Sequence, residues 1–376
     1  MEWSWGVAAA GWLCGWVLLA RQPVMEEARS AEGPAGEREG AAAARVTVII
    51  PARNEEGRIG ELLASLASQT DPPYEVLVAD DDSEDRTADI STAAGARVIR
   101  SGPLPDGWLG KSWGCWNGAR AAKGDLLLFL DADTTLASGG LAKLTARHRR
   151  LGGVLTVQPY HCMKRPDERL SAFFNLVVAA SVLAPFGCGK AGGFGPVLFC
   201  RRDDYFRAGG HSSVIGRVLE NYALAGVFRR MGIPVASILG EGAVSFRMYP
   251  EGWRELTAGW GKSFATGAAS ARPVVLAAVV LWLSGAATAA AALPAAAGQP
   301  AGLRAAALAV YLLYAIQVQP ALKRAGQFGW GTALFYPVSL FVFFAVFARS
   351  AVQTFLGGRV SWKGRSVSTR RKGAGS

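Results

Sequence analysis

The sequence predicts an α/β fold with a mostly parallel central sheet, accompanied by apolar helices near both ends of the chain. The first observation is that short apolar runs alternate with stretches of helical periodicity between residues 45 and 153. Because these apolar runs are nearly continuous, they are typical of parallel strands covered by helices on both faces. The second observation is that uncharged stretches of about bilayer length occur at residues 3–20 and again beyond residue 272.

The elements of the α/β region follow one another in a regular order. The predicted strands are RVTVII (45–50), YEVLVA (74–79), ARVIR (96–100) and DLLLFL (125–130). The predicted helices between them cover residues 59–68, 85–94 and 112–122. Strands that alternate with helices in this way predict successive βαβ units. Residues 154–262 are less regular, and the apolar stretch 173–184 is predicted to be a core or interfacial helix.

The apolar stretches set the expected domain boundaries. Residues 1–20 are interpreted as an N-terminal transmembrane helix, with a cleaved signal peptide as the alternative, and residues 21–44 as a linker. The α/β domain then covers residues 45–271, followed by a C-terminal membrane region over 272–356 and a basic tail over 357–376. The membrane region contains two to three helices, for which the candidate segments are 274–297, 302–319 and 331–356.

The charge distribution argues against a nucleic-acid-binding protein. The chain carries 40 Lys and Arg against 29 Asp and Glu, a net charge of +11. All of that excess lies beyond residue 271, where there is no Asp or Glu, so the rest of the chain is balanced. A basic, acid-free region beside apolar segments indicates contact with anionic lipid. Five cysteines without a C-x-x-C pair indicate neither a disulfide framework nor a zinc site, which suits a reducing compartment.

Two carboxylates, Asp131 and Asp133, follow the strand DLLLFL directly. Positions i and i+2 of an extended segment point the same way, so both side chains are expected to reach one cation. Mg²⁺ or Mn²⁺ takes one or two protein carboxylates and completes its shell with water and substrate phosphates. The pair therefore indicates a diphosphate substrate whose charge the metal neutralises. Acidic triplets are common in surface turns, and it is the position after a buried strand that strengthens this interpretation.

The first predicted strand also ends in a polar cluster, PARNEEGR, at residues 51–58. Arg53 is a candidate for phosphate contact and Glu55 for a ribose, with a solvated loop and helix start as the alternative. The second strand ends in DDDSEDRT, at residues 80–87. Asp82 and Asp85 have the character of helix caps, whereas Asp81 is a candidate for nucleoside contact. The carboxyl ends of the strands of an open α/β sheet are where such folds bind ligands.

The three segments VTVIIPARNEE, EVLVADDDSEDRT and LLLFLDADTTL, in this order, resemble the first half of a glycosyltransferase family 2 domain. That family has the nucleotide-diphospho-sugar (GT-A) fold, and the resemblance extends over residues 46–268. It implies that Pro51, Glu55 and Asp81 line the nucleoside, while Asp131 and Asp133 hold Mg²⁺ or Mn²⁺ on the diphosphate. The segment GWLGKSWGCWNGA is similar to the part that closes over the sugar nucleotide, which makes Lys111 a candidate phosphate partner.

Later segments resemble one branch of the family. QPYH, FGPVLFCRRDDYFRAGGH, RMYPEGW and AGWGKSFATGA are similar to the membrane-associated branch that includes the carotenoid-acid (4,4'-diaponeurosporenoate) glycosyltransferases. The resemblance implies an inverting enzyme that moves a sugar, with glucose favoured, from a UDP-sugar to a lipid-like acceptor such as a carotenoid acid. Polyprenyl phosphate, hopanoid and diacylglycerol are alternative acceptors, whereas RMYPEGW lacks the Q-x-x-R-W of processive synthases. Since nucleotide sugars are cytosolic, we expect a multi-pass protein of the cell membrane whose catalytic domain faces the cytoplasm.

One residue departs from the family pattern. The segment RVLENYALA carries Glu220 and Asn221 where the family normally has Glu-Asp, whose aspartate is the catalytic base. An amide cannot accept the proton of an acceptor. Three hypotheses follow: Glu220 takes over the role, the acceptor is a carboxylic acid that is already ionised, or the protein is a nucleotide-sugar-binding pseudoenzyme.

The segment GWRELTAGWGK supplies the candidate acceptor and interface residues. Trp253, Trp260 and Lys262 have the aromatic and basic character of a membrane-interface anchor. We expect them at the membrane face beside the acceptor, with membrane docking alone as the alternative. His161 and His211 lie in segments shared with the same branch, and structural roles are favoured over site roles for both.

Overall fold

The structure is a computed structural model that describes residues 2–20, 22–25, 45–184, 192–355, 359–362 and 365–368. The chain divides into two compact units. The α/β unit comprises Pro23–Cys162 and Gly189–Arg247, and the helical unit comprises Met1–Gln22, Met163–Cys188 and Met248–Ser376. The segment between residues 163 and 188 therefore interrupts the α/β unit in sequence and belongs to the helical unit.

The elements are numbered in chain order. The strands are β1 (Val46–Ala52), β2 (Glu75–Asp80), β3 (Arg97–Arg100), β4 (Leu126–Leu130), β5 (Thr134–Leu136), β6 (Val154–Gln158), β7 (Tyr160–His161), β8 (Val197–Arg201), β9 (Val235–Leu239), β10 (Val244–Phe246), β11 (Arg359–Trp362) and β12 (Arg365–Ser368). The helices are α1 (Glu2–Leu19), α2 (Ile59–Ala67), α3 (Thr87–Ala93), α4 (Gly110–Ala121), α5 (Gly140–Leu151), α6 (Ala172–Leu183), α7 (Arg202–Arg207), α8 (Glu220–Arg230), α9 (Trp253–Ser270), α10 (Pro273–Ala295), α11 (Ala301–Ala325), α12 (Trp330–Leu334) and α13 (Tyr336–Phe355). Two 3₁₀ helices cover Pro166–Ser171 and Gly210–Val214.

A mixed, mostly parallel sheet forms the centre of the α/β unit, as the sequence predicts. Among the described residues it has seven strands in the order β3-β2-β1-β4-β8-β6-β9. Strands β3, β2, β1 and β4 are parallel to one another, and β6 is parallel to β9. Strand β8 runs antiparallel to both β4 and β6. A smaller sheet, β5-β10-β7, lies in the same unit.

Alternate side chains of the strands enter two different cores. Val48 and Ile50 of β1 pack in one hydrophobic cluster with Leu62 of α2. Ile49, between them in sequence, packs in a second cluster with Ala119 of α4. This is the period of two that a strand imposes on its side chains. Each buried aliphatic side chain of this size contributes about 1.5–3 kcal/mol, so the sheet is held from both faces, as the near-continuous apolar runs predict.

The predicted strands and helices of the first half are confirmed, with small shifts at helix starts that have local causes. Helix α3 begins at Thr87 rather than at residue 85 because the Asp85 carboxylate accepts a hydrogen bond from the Thr87 backbone N–H at 2.9 Å. The same carboxylate accepts the Glu56 N–H at 3.0 Å, so Asp85 also holds the loop after β1. The N-cap position of α3 is Arg86, so Asp85 holds the Thr87 N–H from the residue before the cap, whereas Asp82 is exposed and lies at positive φ.

The helical unit contains two described helices that are long and apolar enough to cross a membrane, α10 and α11. Shorter apolar stretches occur in α1, over Trp5–Leu19, and in α13, over Tyr336–Val352. The single segment predicted over 331–356 is corrected, since the chain breaks at Phe335 into α12 and α13. Pro337 explains where α13 starts, because a proline lacks the N–H that a first helical turn leaves unpaired.

Helix α6 and Trp260 of α9 belong to the core of the helical unit. Phe173 and Phe174 of α6 are fully buried, so the helix predicted over 173–184 is a core helix. The Trp260 ring stacks on Phe174 at 4.9 Å between centroids, and its Nε1 donates to Ser171 Oγ at 3.3 Å. Trp260 is only 7% exposed, which corrects the expectation of an exposed interface anchor at this position.

Candidate active site

The carboxyl end of β4 places Asp131 and Asp133 in a tight turn. Thr134 N–H donates to the Asp131 carbonyl at 3.1 Å, so the two aspartates are joined by a turn rather than by the extended segment expected from the sequence. Asp131 N–H donates to the Pro196 carbonyl at 3.0 Å, which ties the turn to the loop before β8. The carboxylates remain close enough that the charge of Asp131 acts on Asp133.

Both carboxyl groups hold protons more tightly than ordinary aspartates. Burial raises the pKa of Asp131 to about 6, against the opposing effect of the Lys111 charge. Burial and then the neighbouring Asp131 charge raise the pKa of Asp133 to about 7. Within the described residues, no hydrogen bond or ion pair reaches the Asp133 carboxylate. A half-buried carboxylate beside a second one is the electrostatic arrangement that a cation would relieve.

Lys111 lies in the first turn of α4 and bridges two acidic side chains. Its Nζ is 2.7 Å from Asp131 Oδ1 and 2.8 Å from Glu220 Oε1. Its distance to the Gly195 carbonyl is 3.5 Å. Burial alone would lower the pKa of Lys111, but Asp131 and Glu220 together raise it above the ordinary lysine value. The ammonium is therefore a fixed positive charge beside the Asp131 carboxylate.

The loops after β1 and β2 bring the predicted nucleoside residues together. Arg53 is buried, and its Nη1 donates to the Asp81 carbonyl at 2.6 Å and lies 3.9 Å from the Asp81 carboxylate. Glu55 Oε2 is 3.4 Å from Arg58 Nη1, and the charge of Glu55 acts on both Asp131 and Asp133. In this arrangement the Arg53 guanidinium is directed at Asp81, and its contact with a phosphate stays a prediction.

Pro51 marks the close approach of β1 and α4. A methyl group at Gly114 of α4 would lie 3.3 Å from Pro51 Cβ and 3.4 Å from the Ala79 carbonyl of β2. Glycine at this position lets α4 pack closely against the ends of both strands. This packing carries Lys111, three residues before Gly114 on the same helix, to the sheet edge where β4 ends.

The first turn of α8 presents Glu220 and Asn221, both buried. Glu220 forms the ion pair with Lys111 described above. Asn221 Nδ2 donates to the Gly195 carbonyl at 2.6 Å. The Gly195 carbonyl thus accepts a hydrogen bond from Asn221 and lies close to Lys111. The GGFGP segment before β8 is therefore part of the site. The sequence analysis reached part of that segment only as the start of FGPVLFCRRDDYFRAGGH, and its contact with α8 is not visible in the sequence.

His211 and Tyr205 form a buried pair beside Asn221. The Tyr205 hydroxyl is 2.8 Å from His211 Nδ1 and accepts the His211 backbone N–H at 3.1 Å. Burial lowers the pKa of His211 to about 4, so the imidazole is neutral. Sequence reasoning missed Tyr205. The available signal was the Gly-Gly pair before His211, because a methyl group at Gly210 would lie 2.4 Å from the Tyr205 ring.

The remaining candidates lie elsewhere. His161 is buried in β7, where its ring packs on Phe246 at 5.2 Å between centroids. Trp253 and Trp260 belong to the helical unit, where Trp253 is 59% exposed. The backbone of α9 includes Lys262, but its side chain is outside the described residues. An acceptor contact by Trp253, Trp260 and Lys262 stays a prediction.

The donor set fits a hard divalent cation held jointly by protein and substrate. Among the described residues, no group of three or more His, Cys, Asp or Glu is arranged to enclose a metal ion. Mg²⁺ needs only one or two carboxylates when substrate phosphates and water complete its octahedron. Asp131 and Asp133 provide such a pair. The arrangement suits a metal that arrives with a diphosphate better than one that is permanently bound.

Comparison with known proteins agrees with this geometry. The sequence model of the family described as "Glycosyl transferase family 2" matches residues 47–206. A Staphylococcus aureus (strain MRSA252) protein named 4,4'-diaponeurosporenoate glycosyltransferase is 37% identical over 335 residues, covering 87% of this chain and 89% of that protein. The protein of the same name from Staphylococcus aureus (strain USA300) has the same identity and coverage.

A solved structure supports the fold. The mannosyltransferase PcManGT from Pyrobaculum calidifontis, in complex with GDP-Man and Mn²⁺, superposes with a TM-score of 0.57 at 20% identity. The superposition covers 94% of this chain and 98% of that one. At this identity the likeness concerns the fold, whereas the sequence relatives above define the family. The chain therefore belongs to glycosyltransferase family 2, and it is a glycosyltransferase with the GT-A fold.

Proposed function

We propose that the protein is a membrane-bound, inverting glycosyltransferase that moves glucose from a UDP-sugar to a carotenoid acid. The observation that carries the donor half is the cluster of Asp131, Asp133 and Lys111 at the carboxyl end of β4. The acceptor half rests on the name shared by the relatives that are 37% identical to the chain. The acceptor class in this proposal thus comes from the named relatives, and the use of a nucleotide-sugar donor is supported by the residues of the site.

In this proposal Asp131 and Asp133 hold Mg²⁺ or Mn²⁺, and the Pyrobaculum enzyme was solved with Mn²⁺ and a nucleotide sugar. When bound, the metal neutralises charge on the diphosphate leaving group. Lys111 places a second positive charge beside Asp131, where it favours the departure of the diphosphate. Asp81, held by Arg53, and Glu55 orient the nucleoside. Pro51 closes that side of the site at the end of β1.

The groups available to accept a proton at positions 220 and 221 favour a carboxylic acid as the acceptor. Asn221 is an amide and cannot take up a proton. Glu220 is already paired with Lys111 at 2.8 Å. A carboxylic acid, with an ordinary pKa of about 4, is ionised at neutral pH and needs no base. Its oxygen attacks the anomeric carbon as the bond to the UDP oxygen breaks, which gives a sugar ester with inverted configuration and releases UDP.

The helical unit supplies the support for membrane binding. Helices α10 and α11 have the length and composition of membrane spans. Phe335 and Phe341, both more than 70% exposed, present large apolar side chains on its surface, which is typical of lipid contact. In the proposal the α/β unit faces the cytoplasm, where nucleotide sugars are available, and Trp253 and Lys262 lie at the interface that the acceptor enters.

Sugar transfer in isolated membranes tests the proposal. Membranes containing the wild type should transfer label from UDP-[¹⁴C]glucose to an added carotenoid acid in the presence of Mg²⁺ or Mn²⁺. Asp131→Ala should abolish transfer, because the metal loses a ligand. Asp71→Ala is the matched control, since Asp71 is an exposed loop aspartate that precedes β2, at the opposite end of that strand from Asp81. Equal transfer by Asp131→Ala and the wild type would contradict the assignment of the metal site.

The same assay separates the other candidate functions. If the label appears in polyprenyl phosphate, hopanoid or diacylglycerol instead of the carotenoid acid, the proposed acceptor is wrong. The proposed glycosyltransferase activity would still hold. Binding of UDP-glucose without transfer to any lipid would support a nucleotide-sugar-binding pseudoenzyme, the candidate that Asn221 favours.

A further inference from the structure

Four residues form a buried polar chain behind the candidate site. Tyr205 and His211 are fully buried, and Asn221 is almost so. The Tyr205 hydroxyl contacts His211 Nδ1, and the Asn221 carboxamide donates to the Gly195 carbonyl. A buried polar group is costly unless it is hydrogen-bonded, so the direction of each hydrogen bond can be deduced from its neighbours.

The Tyr205 hydroxyl fixes the tautomer of His211. Its oxygen accepts the His211 backbone N–H at 3.1 Å and lies 2.8 Å from His211 Nδ1. If Nδ1 carried the proton, the hydroxyl hydrogen would have no acceptor among the described residues. If Nδ1 is unprotonated, the hydroxyl donates to it and every group in the pair is satisfied. The neutral imidazole therefore carries its proton on Nε2.

The hydrogen bond to Gly195 also fixes which Asn221 atom donates and which can accept. Because Nδ2 donates to the Gly195 carbonyl at 2.6 Å, Oδ1 is the atom left to accept. His211 Nε2 and Asn221 Oδ1 are both buried and both lack a partner of ordinary hydrogen-bond geometry among the described residues. The 3₁₀ helix Gly210–Val214, which carries His211, packs against α8, which carries Asn221. A small rotation makes this donor and this acceptor partners of each other.

We propose that Tyr205 and His211 are positioning residues, which orient the Asn221 carboxamide so that it holds the Gly195 carbonyl beside Lys111. The inference rests on the proposed function, in which Lys111 meets the donor diphosphate. It also explains why an amide suits position 221. An aspartate there would bring a carboxylate oxygen to within 2.6 Å of the Gly195 carbonyl oxygen, in place of the present N–H donor.

Nitrogen NMR tests the local arrangement without any assay of activity. The chain has three histidines, so the side chains of a ¹⁵N-histidine-labelled sample can be assigned with His148→Gln, His161→Gln and His211→Gln. We expect His211 as a single neutral Nε2–H tautomer. We also expect Asn221→Asp to raise the His211 pKa by more than one unit, because a carboxylate would then face Nε2. The other charges acting on His211, Glu220 and Lys111, are unchanged in that variant.

Binding of UDP-glucose supplies the second readout. Tyr205→Phe keeps the ring but removes the donor that fixes His211, and we expect the dissociation constant to rise about fivefold, the value of roughly one buried hydrogen bond. Asn221→Asp should weaken binding at least as much. Tyr74→Phe is the matched control, because Tyr74 is an exposed tyrosine of the same unit.

An Nδ1–H tautomer in the wild type would overturn the inference. So would a His211 pKa that Asn221→Asp leaves unchanged, or a Tyr205→Phe variant that binds UDP-glucose like Tyr74→Phe. A wild type that binds no nucleotide sugar contradicts the proposed function instead, and the NMR result distinguishes that case.

Discussion

Replacing Lys111 with methionine perturbs the electrostatic centre of the site. The ammonium lies 2.7 Å from Asp131 and 2.8 Å from Glu220. Methionine has a similar length but no charge, so Lys111→Met leaves two carboxylates facing each other without a counter-ion. We expect the folded protein to lose stability and the site to gain affinity for a divalent cation.

The magnitude follows from the burial of the three side chains. Removing one partner of a fully buried ion pair costs about 3–5 kcal/mol. The Glu220 side chain is only 8% exposed, but the side chains of Lys111 and Asp131 are 24% and 29% exposed. Water therefore screens part of the interaction between these charges. We therefore expect a loss of about 2 kcal/mol. In a unit of this size that lowers Tm by about 4–8 °C.

Thermal unfolding followed by tryptophan fluorescence in detergent measures the effect. Lys111→Arg should retain most of the stability, since it keeps the charge, and Lys123→Met is the surface control. Mn²⁺ should raise the Tm of Lys111→Met more than that of the wild type, because Lys111 and the metal share Asp131. If Lys111→Met unfolds like Lys123→Met and responds equally to Mn²⁺, the reasoning is refuted.

Three further predictions concern other parts of the molecule. The pKa of His211 is about 4 instead of the ordinary 6.5, so the unfolded chain takes up a proton between these pH values that the folded protein refuses. Stability should fall by about 3 kcal/mol as the pH falls through this window, and denaturation of His211→Gln should show a smaller loss. Arg53→Met should raise the Kd for UDP about tenfold, because Arg53 fixes Asp81 through a charge-assisted hydrogen bond; an unchanged Kd by calorimetry would contradict that role. A leucine at Gly285 should lower the Tm, because even its Cβ would lie 2.9 Å from Gly11 Cα of α1; Gly302→Leu in α11, with open space around it, should leave the Tm nearly unchanged.

The sequence predicted the part of the fold that local pattern controls. The apolar runs of β1, β2 and β4 and the polar residues that follow them are local features, so the sheet edge carrying Asp81, Asp131 and Asp133 could be placed from them. The antiparallel direction of β8 could not, because the segment before it belongs to the helical unit and gives no information about where the chain re-enters the sheet.

The contacts within the site depend on distant parts of the chain. Lys111 meets Glu220 across more than one hundred residues, and no local spacing predicts that pair. The hydrogen bond from the Arg53 guanidinium to the Asp81 carbonyl is likewise not visible in the sequence, because the two residues follow different strands. Trp260 was expected at an interface because tryptophan is common both in cores and at membrane surfaces, and only the packing on Phe174 decides between them.

The central claim is that Asp131 and Asp133 bind a divalent cation together with the donor diphosphate. Binding of Mn²⁺, measured by electron paramagnetic resonance with and without UDP, tests it most directly in the wild type and in Asp133→Asn. The Asp133 carboxylate has no hydrogen bond or ion pair to lose among the described residues, and the Asp133 carbonyl, which accepts the Arg247 N–H, is unchanged in this variant. Asp133→Asn should therefore fold normally. We predict that UDP strengthens Mn²⁺ binding to the wild type and has little effect in Asp133→Asn. Equal, UDP-dependent Mn²⁺ binding by the two proteins would contradict the account.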